Sequence, residues 1–100
     1  MDKNKEADNL KAEKNRDDTA EKAHHIYIVE CSDGSYYTGY TTDVERRLKE
    51  HNAGEGAKYT RGRLPVKLRH QESFENRSLA QKREYQIKQL PRSKKEELID

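Results

Sequence analysis

The stretch from residue 25 to residue 51 constrains the fold most strongly, because it contains two strand-like runs, a turn and a helix-like run in close succession. In the first run, residues 26–29, isoleucines alternate with a tyrosine and a valine, which places the two sets on opposite faces of a strand. The second run, residues 36–41, is rich in tyrosine and threonine. Between them, residues 32–35 are small and polar and include a glycine, which permits a tight reversal of the chain. The sequence therefore predicts a β-hairpin.

A helix is predicted directly after the hairpin. Thr42 and Glu45 have the spacing of a capping box, in which two side chains satisfy each other's backbone amides, so we expect the helix to begin near Asp43. Val44 and Leu48 lie one turn apart and form its predicted buried stripe.

A flank of the same helix carries Arg47 and His51, again one turn apart. If the buried stripe packs on the hairpin, this flank faces back along the edge of the sheet. The two side chains then converge with the hydroxyls of one set of strand tyrosines. The sequence therefore predicts a concave polar site at this place.

The remaining chain supplies a third strand and two more helices. After a loop whose first two glycines end the helix, Pro65 opens a strand that continues to His70. A proline at a strand's first residue costs no ladder hydrogen bond. A helix is predicted from Ser78 to Leu90, with Ser78 at its start, and a short last helix over residues 93–99. The predicted fold class is α+β, with a small three-stranded antiparallel sheet flanked by helices in the order β-β-α-β-α-α.

Glu84 occupies an unusual position on the second long helix. The apolar stripe of that helix consists of Leu79, Ala80, Ile87 and Leu90. Glu84 lies within this stripe, where an unpaired carboxylate would cost several kcal/mol if buried. An inward-facing carboxylate needs a cation, either a metal ion or an arginine. The alternative is a surface ion pair with Lys88 or Arg83.

A cluster of cations follows the first helix. The formal net charge of the chain is only +2, which by itself fits an ordinary solvated surface. Between residues 58 and 69, however, five lysines and arginines occur without an acidic residue and with one tyrosine among them. Cations beside an aromatic ring on a loop suit phosphate contact and base stacking. The residues assigned to nucleic-acid binding on this ground are Lys58, Tyr59, Arg61 and Arg63.

The segment from Met1 to His24 has a different composition. Thirteen of its 24 residues are charged and none is aromatic, so it cannot bury enough apolar surface to offset its ordering entropy. We predict a disordered or frayed tail over residues 1–24 and one domain over residues 25–100. The single cysteine, Cys31, cannot form an internal disulfide and is expected in the core. With no segment typical of a signal peptide or membrane span, we expect a cytoplasmic monomer that does not bind a membrane.

Two tripeptides, HIY at residues 25–27 and YTG at residues 37–39, resemble the paired motifs of the GIY-YIG nuclease superfamily. Their tyrosines are ten positions apart, Arg47 follows the second tyrosine by ten, and His51 follows Arg47 by four, as in that family. His25 replaces the family's first glycine and Thr38 its middle aliphatic residue, positions that supply no catalytic side chain there. The resemblance covers about residues 25–90 and is closest to small stand-alone bacterial members.

The resemblance implies a metal-dependent endonuclease that hydrolyses phosphodiester bonds, in DNA repair or processing, with DNA or RNA as its nucleic-acid partner. Arg47 is implied to donate to the phosphate as negative charge develops. Tyr27 is implied to orient or deprotonate the attacking water, with Tyr37 or His51 stabilising a phenolate. Which of these groups accepts the proton is left open by the sequence.

The resemblance also implies that Glu84 holds one divalent ion, Mg²⁺ or Mn²⁺, and that Gly39 is a structural part of the motif. Many family members carry an asparagine after the metal-binding glutamate, whereas this chain has none after Glu84 and offers only Gln89. A nucleic-acid-binding module with little or no cleavage is therefore the alternative function. A protein-interaction domain would leave the site residues unexplained, and no paired ligand spacing supports a zinc site built from histidines and Cys31.

Overall fold

The structure, a computed structural model, describes residues 23–99. Its three strands are β1 (His24–Glu30), β2 (Tyr36–Thr41) and β3 (Lys67–Phe74), which form one antiparallel sheet in the order β2-β1-β3. Its helices are α1 (Val44–Asn52), α2 (Lys58–Arg61), α3 (Arg77–Lys88) and α4 (Arg92–Ile99). The predicted α+β fold with a three-stranded antiparallel sheet is confirmed. The one-turn helix α2, inside the predicted loop, was not anticipated.

The predicted charged tail lies almost entirely outside the described residues. Of residues 1–24, only the last two are described, and His24 already belongs to β1. The strand thus begins one residue before the predicted domain boundary. Among residues 23–99, no helix is both long enough and apolar enough to cross a bilayer.

The alternation within β1 produces two apolar layers, as predicted. Ile26 and Ile28 pack with Ala80 and Ile87 of α3, and all four are fully buried; we call this side of the sheet the α3 face. The opposite side, the α1 face, is formed by buried residues packed with half-buried Leu48 of α1. The buried members of the α1 face are Tyr27, Val29, Cys31 and Val66. The central strand is therefore covered on both sides, and Cys31 is a core residue as expected.

The first helix begins near Asp43 as predicted, but the predicted capping box is wrong. Asp43 is the N-cap, and its carboxylate accepts a hydrogen bond from the backbone N–H of Arg46 at 3.1 Å. Thr42 and Glu45 therefore do not form a capping box. The physical reason is that the Thr41 hydroxyl accepts from the backbone N–H of Asp43 at 3.1 Å, which forms a turn ahead of the helix.

The second long helix begins at Arg77, one residue before the predicted start near Ser78, and its capping residue differs from the predicted one. The N-cap is Asn76, whose side-chain oxygen accepts from the backbone N–H of Leu79 at 2.9 Å, so Ser78 lies inside α3. Because β3 extends to Phe74, only two residues connect the strand to the helix. Leu79, predicted in the buried stripe, is 48% exposed. Ala80, also predicted in the stripe, faces the sheet. Leu79 precedes it by one residue, which is about 100° of rotation around the helix axis, and therefore points away from the sheet.

An ionic network that sequence reasoning missed joins β3 to α3. The Arg83 guanidinium donates two hydrogen bonds to the Glu72 carboxylate, at 2.9 and 3.1 Å, and His70 Nε2 lies 2.7 Å from the same carboxylate. Burial alone would raise the pKa of Glu72, but the hydrogen bonds from Arg83 and His70 lower it overall. This network ties β3 to α3, the helix that also carries Glu84.

Candidate active site

A continuous chain of buried polar side chains lies on the α1 face. The Tyr27 hydroxyl of β1 lies 2.8 Å from Nε2 of His51 on α1. His51 Nδ1 lies 2.8 Å from Oγ1 of Thr60 on α2. Tyr27 is 2% exposed, and the other two are fully buried. Three separate elements thus contribute to one hydrogen-bonded path, of which the sequence predicted the first two members.

Burial determines the resting charge of this path. It raises the pKa of the Tyr27 hydroxyl to about 12, and the negative charge of Glu84 acts in the same direction, against the neighbouring Arg47 guanidinium. Burial, together with the positive charge of Arg47, lowers the pKa of His51. Both groups are therefore neutral at pH 7, a phenol next to an imidazole.

Arg47 lies beside this pair and is more exposed than either member of it. Its Nη1 atom donates to Glu50 Oε1 at 3.0 Å, and its side chain is 29% exposed. A guanidinium has five N–H donors, and a single carboxylate contact does not use them all. Arg47 therefore keeps donors available for an anion that approaches Tyr27.

Tyr37 of β2 joins this group to α2. Its ring centroid lies 6.4 Å from that of Tyr27, 5.5 Å from that of His51 and 6.1 Å from the ring of Tyr59, on which it stacks. The four residues predicted as catalytic from their spacing thus lie together in one place. They are Tyr27, Tyr37, Arg47 and His51.

Two glycines permit the close packing of the Tyr27–His51 pair. Gly39 is the cross-strand partner of Tyr27, and a Cβ atom there would lie 2.5 Å from the Tyr27 hydroxyl oxygen. Gly56 packs against His51, where a Cβ would lie 2.8 Å from Cγ of the imidazole. The sequence indicated Gly39 through the motif. Gly56 was interpreted only as a helix terminator, because its contact with His51 depends on how the loop folds back.

Glu84 is on α3, on the other side of the sheet. Because β2 is an edge strand and the Tyr27 hydroxyl lies over Gly39 of that strand, the carboxylate is near enough to influence the pKa of Tyr27. Its side chain is only 18% exposed, and its Oε2 atom lies 2.9 Å from Lys88 Nζ. The inward position predicted for Glu84 and the alternative pairing with Lys88 therefore both occur.

Glu84 offers one carboxylate, the type of ligand that a hydrated divalent ion takes. Mg²⁺ is usually held by one or two carboxylates and completes its shell with water and substrate phosphate oxygens. Thr38 Oγ1 is buried without a hydrogen-bond partner on the α3 face of β2, the edge strand that packs against the helix carrying Glu84. Within residues 23–99, no three His, Cys, Asp or Glu side chains are grouped as metal ligands, and Glu84 would be a single protein carboxylate on the ion.

The four residues predicted to bind nucleic acid are not equivalent in the structure. Lys58 and Arg61 are exposed and form no ion pair with any residue in the range 23–99. Arg63 donates to Asp33 Oδ2 at 3.1 Å and to the Tyr59 carbonyl at 2.7 Å, and its guanidinium lies 4.0 Å above the Tyr59 ring. Arg63 therefore holds the loop against the hairpin turn, a role that the sequence did not indicate.

The chain is similar to known proteins over nearly all of its described residues. The family model described as the GIY-YIG catalytic domain matches residues 23–97. UPF0213 protein VNG_2274C of Halobacterium salinarum is 71% identical over 76 residues, which cover 76% of this chain and 99% of that protein. UPF0213 protein HQ_3675A of Haloquadratum walsbyi is 66% identical over 77 residues, or 77% of this chain and 86% of that protein.

Solved structures show the same likeness. The solution NMR structure of the UPF0213 protein BH0048 from Bacillus halodurans is 55% identical, with a TM-score of 0.51 over 76% of this chain and 81% of that one. The solution NMR structure of protein EF2693 from E. faecalis is 54% identical, with a TM-score of 0.54 over the same shares. The names of these relatives state no activity. The motif spacing, the fold and the family match agree, and the chain belongs to the GIY-YIG catalytic domain family.

Proposed function

We propose that this protein is a divalent-metal-dependent endonuclease that hydrolyses phosphodiester bonds in DNA. The observation that carries the proposal is the buried hydrogen bond of 2.8 Å between Tyr27 and His51, beside Arg47 and Tyr37. A phenol paired with an imidazole, next to an available guanidinium, is suited to accept a proton from water while an anion is bound. Membership of a nuclease family supports the same reaction class.

In this proposal, Arg47 binds the phosphate. Its free N–H donors contact a non-bridging oxygen, and this interaction strengthens as negative charge develops in the transition state. Arg47 also lies beside Tyr27, so the bound phosphorus atom is close to the group that handles the proton of the attacking water.

Tyr27 and His51 would act together on that proton. With a pKa of about 12 for Tyr27, only about one hydroxyl in 10⁵ is ionised at neutral pH, so a preformed phenolate is too rare to serve as the base. If Tyr27 passes its own proton to His51 Nε2 as it accepts one from water, no free phenolate has to accumulate. The general base is then the pair, not either residue alone.

Glu84 would hold the divalent ion, Mg²⁺ or Mn²⁺, and nucleases of this family are generally dependent on such ions. When bound, the ion supplies positive charge that polarises the phosphoryl oxygen and stabilises the leaving oxygen. The chain's own part is to present a carboxylate that is only 18% exposed and therefore held in place. Lys88, now 2.9 Å from that carboxylate, has to release it.

The alternative proposal is a nucleic-acid-binding module of the same fold with little or no cleavage. Two observations favour it: no asparagine follows Glu84 in the chain, and Lys88 already neutralises the Glu84 charge. Lys58 and Arg61 would serve either function equally well.

One assay separates the two. Purified protein is incubated with single-stranded, duplex, flapped and branched DNA and with RNA, with EDTA, Mg²⁺ or Mn²⁺, and products are resolved at nucleotide resolution. We expect metal-dependent cleavage by the wild type and none by Tyr27→Phe, which controls for a contaminating nuclease. Binding without cleavage of any substrate would establish the alternative.

A further inference from the structure

Thr60 is the last member of the buried path and is not part of the motif that identifies the family. It is fully buried in α2, with Oγ1 2.8 Å from His51 Nδ1 and 3.0 Å from the backbone carbonyl oxygen of Ala57. Its own backbone N–H also donates to the Ala57 carbonyl, at 3.1 Å. The position of this hydroxyl is therefore fixed by the backbone of α2.

The hydrogen bonds of Thr60 determine where the proton of His51 lies. A threonine hydroxyl has one proton, and a carbonyl oxygen only accepts, so the Thr60 proton points to Ala57. The Thr60 oxygen must then accept from His51, which places a proton on Nδ1. A neutral imidazole has one N–H, and Nε2 consequently presents its lone pair to the Tyr27 hydroxyl.

The surrounding residues prevent the ring from adopting another arrangement. A flipped ring would exchange its nitrogen and carbon atoms and lose both hydrogen bonds at once. Gly56 packs directly against Nδ1 and Cγ of the ring, and the edge of Tyr37 lies against the ring with a centroid distance of 5.5 Å. The remaining charged neighbours of His51 are Arg47 and Glu50, both on its own helix.

We propose that Thr60 is a positioning residue, which holds His51 in the Nδ1-protonated tautomer and thereby makes Nε2 the acceptor of the Tyr27 proton. With the opposite tautomer, Nε2 would donate to Tyr27, and the tyrosine proton would have no acceptor in this path. The tautomer itself follows from the hydrogen bonds alone. Only its catalytic consequence rests on the proposed nuclease function.

The step balances with the groups present. The water oxygen forms the new bond to phosphorus, its proton passes to Tyr27 Oη, and the Tyr27 proton passes to His51 Nε2. The bond from phosphorus to the leaving sugar oxygen breaks, and that oxygen keeps the electron pair and takes a proton from solvent. The imidazolium retains its Nδ1–H bond to Thr60 and later releases the Nε2 proton to solvent.

The test compares the wild-type chain with Thr60→Ser, which keeps the hydroxyl, and Thr60→Val, which has the same shape without it. Two-bond ¹H–¹⁵N correlation NMR of ¹⁵N-labelled protein reports which ring nitrogen carries the proton, and His70 is an internal control. We expect a protonated Nδ1 and an unprotonated Nε2 on His51 in the wild type and in Thr60→Ser. In Thr60→Val we expect a mixture of tautomers or the Nε2-protonated form.

Cleavage kinetics provide the second readout. We expect Thr60→Val to lower kcat by about 10²-fold with little change in KM, because it removes general-base action and leaves binding intact, and Thr60→Ser to restore most of the rate. An Nε2-protonated His51 in the wild type would overturn the proposal, as would Thr60→Val with the wild-type tautomer or the wild-type rate. If the wild type cleaves nothing yet shows the expected tautomer, the proposed function fails while the positioning role of Thr60 stands.

Discussion

At the scale of single residues, the Tyr27–His51 pair is neutral in the free protein, with the proton on Tyr27 and not on His51 Nε2. Burial raises the pKa of Tyr27 and lowers that of His51, so proton transfer between them is unfavourable in the free protein. The positive charge of Arg47 is one cause of the low His51 pKa. A phosphate bound by Arg47 would neutralise that charge, and His51 would become more basic when substrate is present. Under the proposed function, substrate binding therefore favours the proton transfer that the reaction needs.

The residue that best separates nuclease from binding module is Glu84. Glu84→Gln keeps the size of the side chain and removes its charge, so we expect it to abolish metal-dependent cleavage and to leave DNA affinity unchanged. The free energy of unfolding should change by less than about 1 kcal/mol, because Lys88, the partner of the lost charge, is itself 48% exposed. Gel-based cleavage, fluorescence anisotropy and thermal melts measure the three quantities.

The matched control for that substitution is Glu97→Gln. Glu97 also pairs with a lysine of its own helix, at 3.6 Å from Lys94 Nζ, but its side chain is 68% exposed. Glu97→Gln should cleave DNA at the rate of the wild type. Equal cleavage by wild type and Glu84→Gln would show that the metal site has been assigned to the wrong residue.

At the scale of elements, the loop that contains α2 has two kinds of cation. Lys58 and Arg61 are exposed and form no ion pair among residues 23–99. Replacing either with alanine should weaken binding to DNA of any sequence. It should also reduce the slope of log K against log salt concentration by about one unit per phosphate contact.

Arg63 holds Tyr59 and Asp33 in place. Arg63→Ala should instead lower the melting temperature. Salt titrations by anisotropy and thermal melts measure these effects.

Lys94 on α4 supplies the control for that series. It is exposed and distant in the chain from the loop, and Lys94→Ala should leave both affinity and salt dependence unchanged. An unchanged salt dependence in Lys58→Ala and Arg61→Ala would mean that the loop does not touch phosphates.

The network between β3 and α3 predicts a pH dependence of stability. The pKa of Glu72 is lower in the folded protein than in the unfolded chain, so the ionised carboxylate stabilises the fold. This contribution is complete above the unfolded pKa of about 4.3 and is lost as the pH falls through the folded value. Thermal melts of wild type and Glu72→Gln between pH 3 and pH 7 should therefore converge at the acid end, where Glu72 is protonated and residue 72 is uncharged in both proteins. Parallel curves over the whole range would contradict this role for Glu72.

At the scale of the whole molecule, the sequence predicted what depends on periodicity and motif spacing. The alternation in β1, the hairpin, and the meeting of Tyr27 with His51 all follow from patterns within 27 residues. What it missed are contacts between distant segments. Arg63 pairs with Asp33 thirty residues earlier, and Thr60 reaches His51 only because the loop folds back over α1. Contacts between distant segments cannot be predicted from a local sequence pattern, so an exposed cation and a paired cation cannot be distinguished in the sequence.

The helix starts show the same limit on a smaller scale. Threonine, serine, aspartate and asparagine all serve as N-caps; residues 41–43 offer three of them and residues 76–78 offer two. Which one caps is decided by where the preceding strand ends. β3 ends at Phe74, later than the sequence pattern indicated, and the cap falls on Asn76. β2 ends at Thr41 as predicted, but the Thr41 hydroxyl bonds to the backbone N–H of Asp43, and the cap falls on Asp43.

The two apolar layers of the domain draw all their described members from residues 26–99, and this leads to a prediction about residues 1–22. Those residues contain one leucine, no aromatic side chain and many charges, so they offer almost no apolar surface to either layer. A variant that begins at Ala23 should therefore keep the melting temperature and the circular dichroism of the folded domain nearly unchanged, and it should keep the cleavage or binding activity of the full chain. Thermal melts and the nuclease assay of the two proteins, side by side, measure this. A fall of several degrees in melting temperature would mean that the segment docks on the domain, and the assignment of residues 25–100 as a self-sufficient unit would then be wrong.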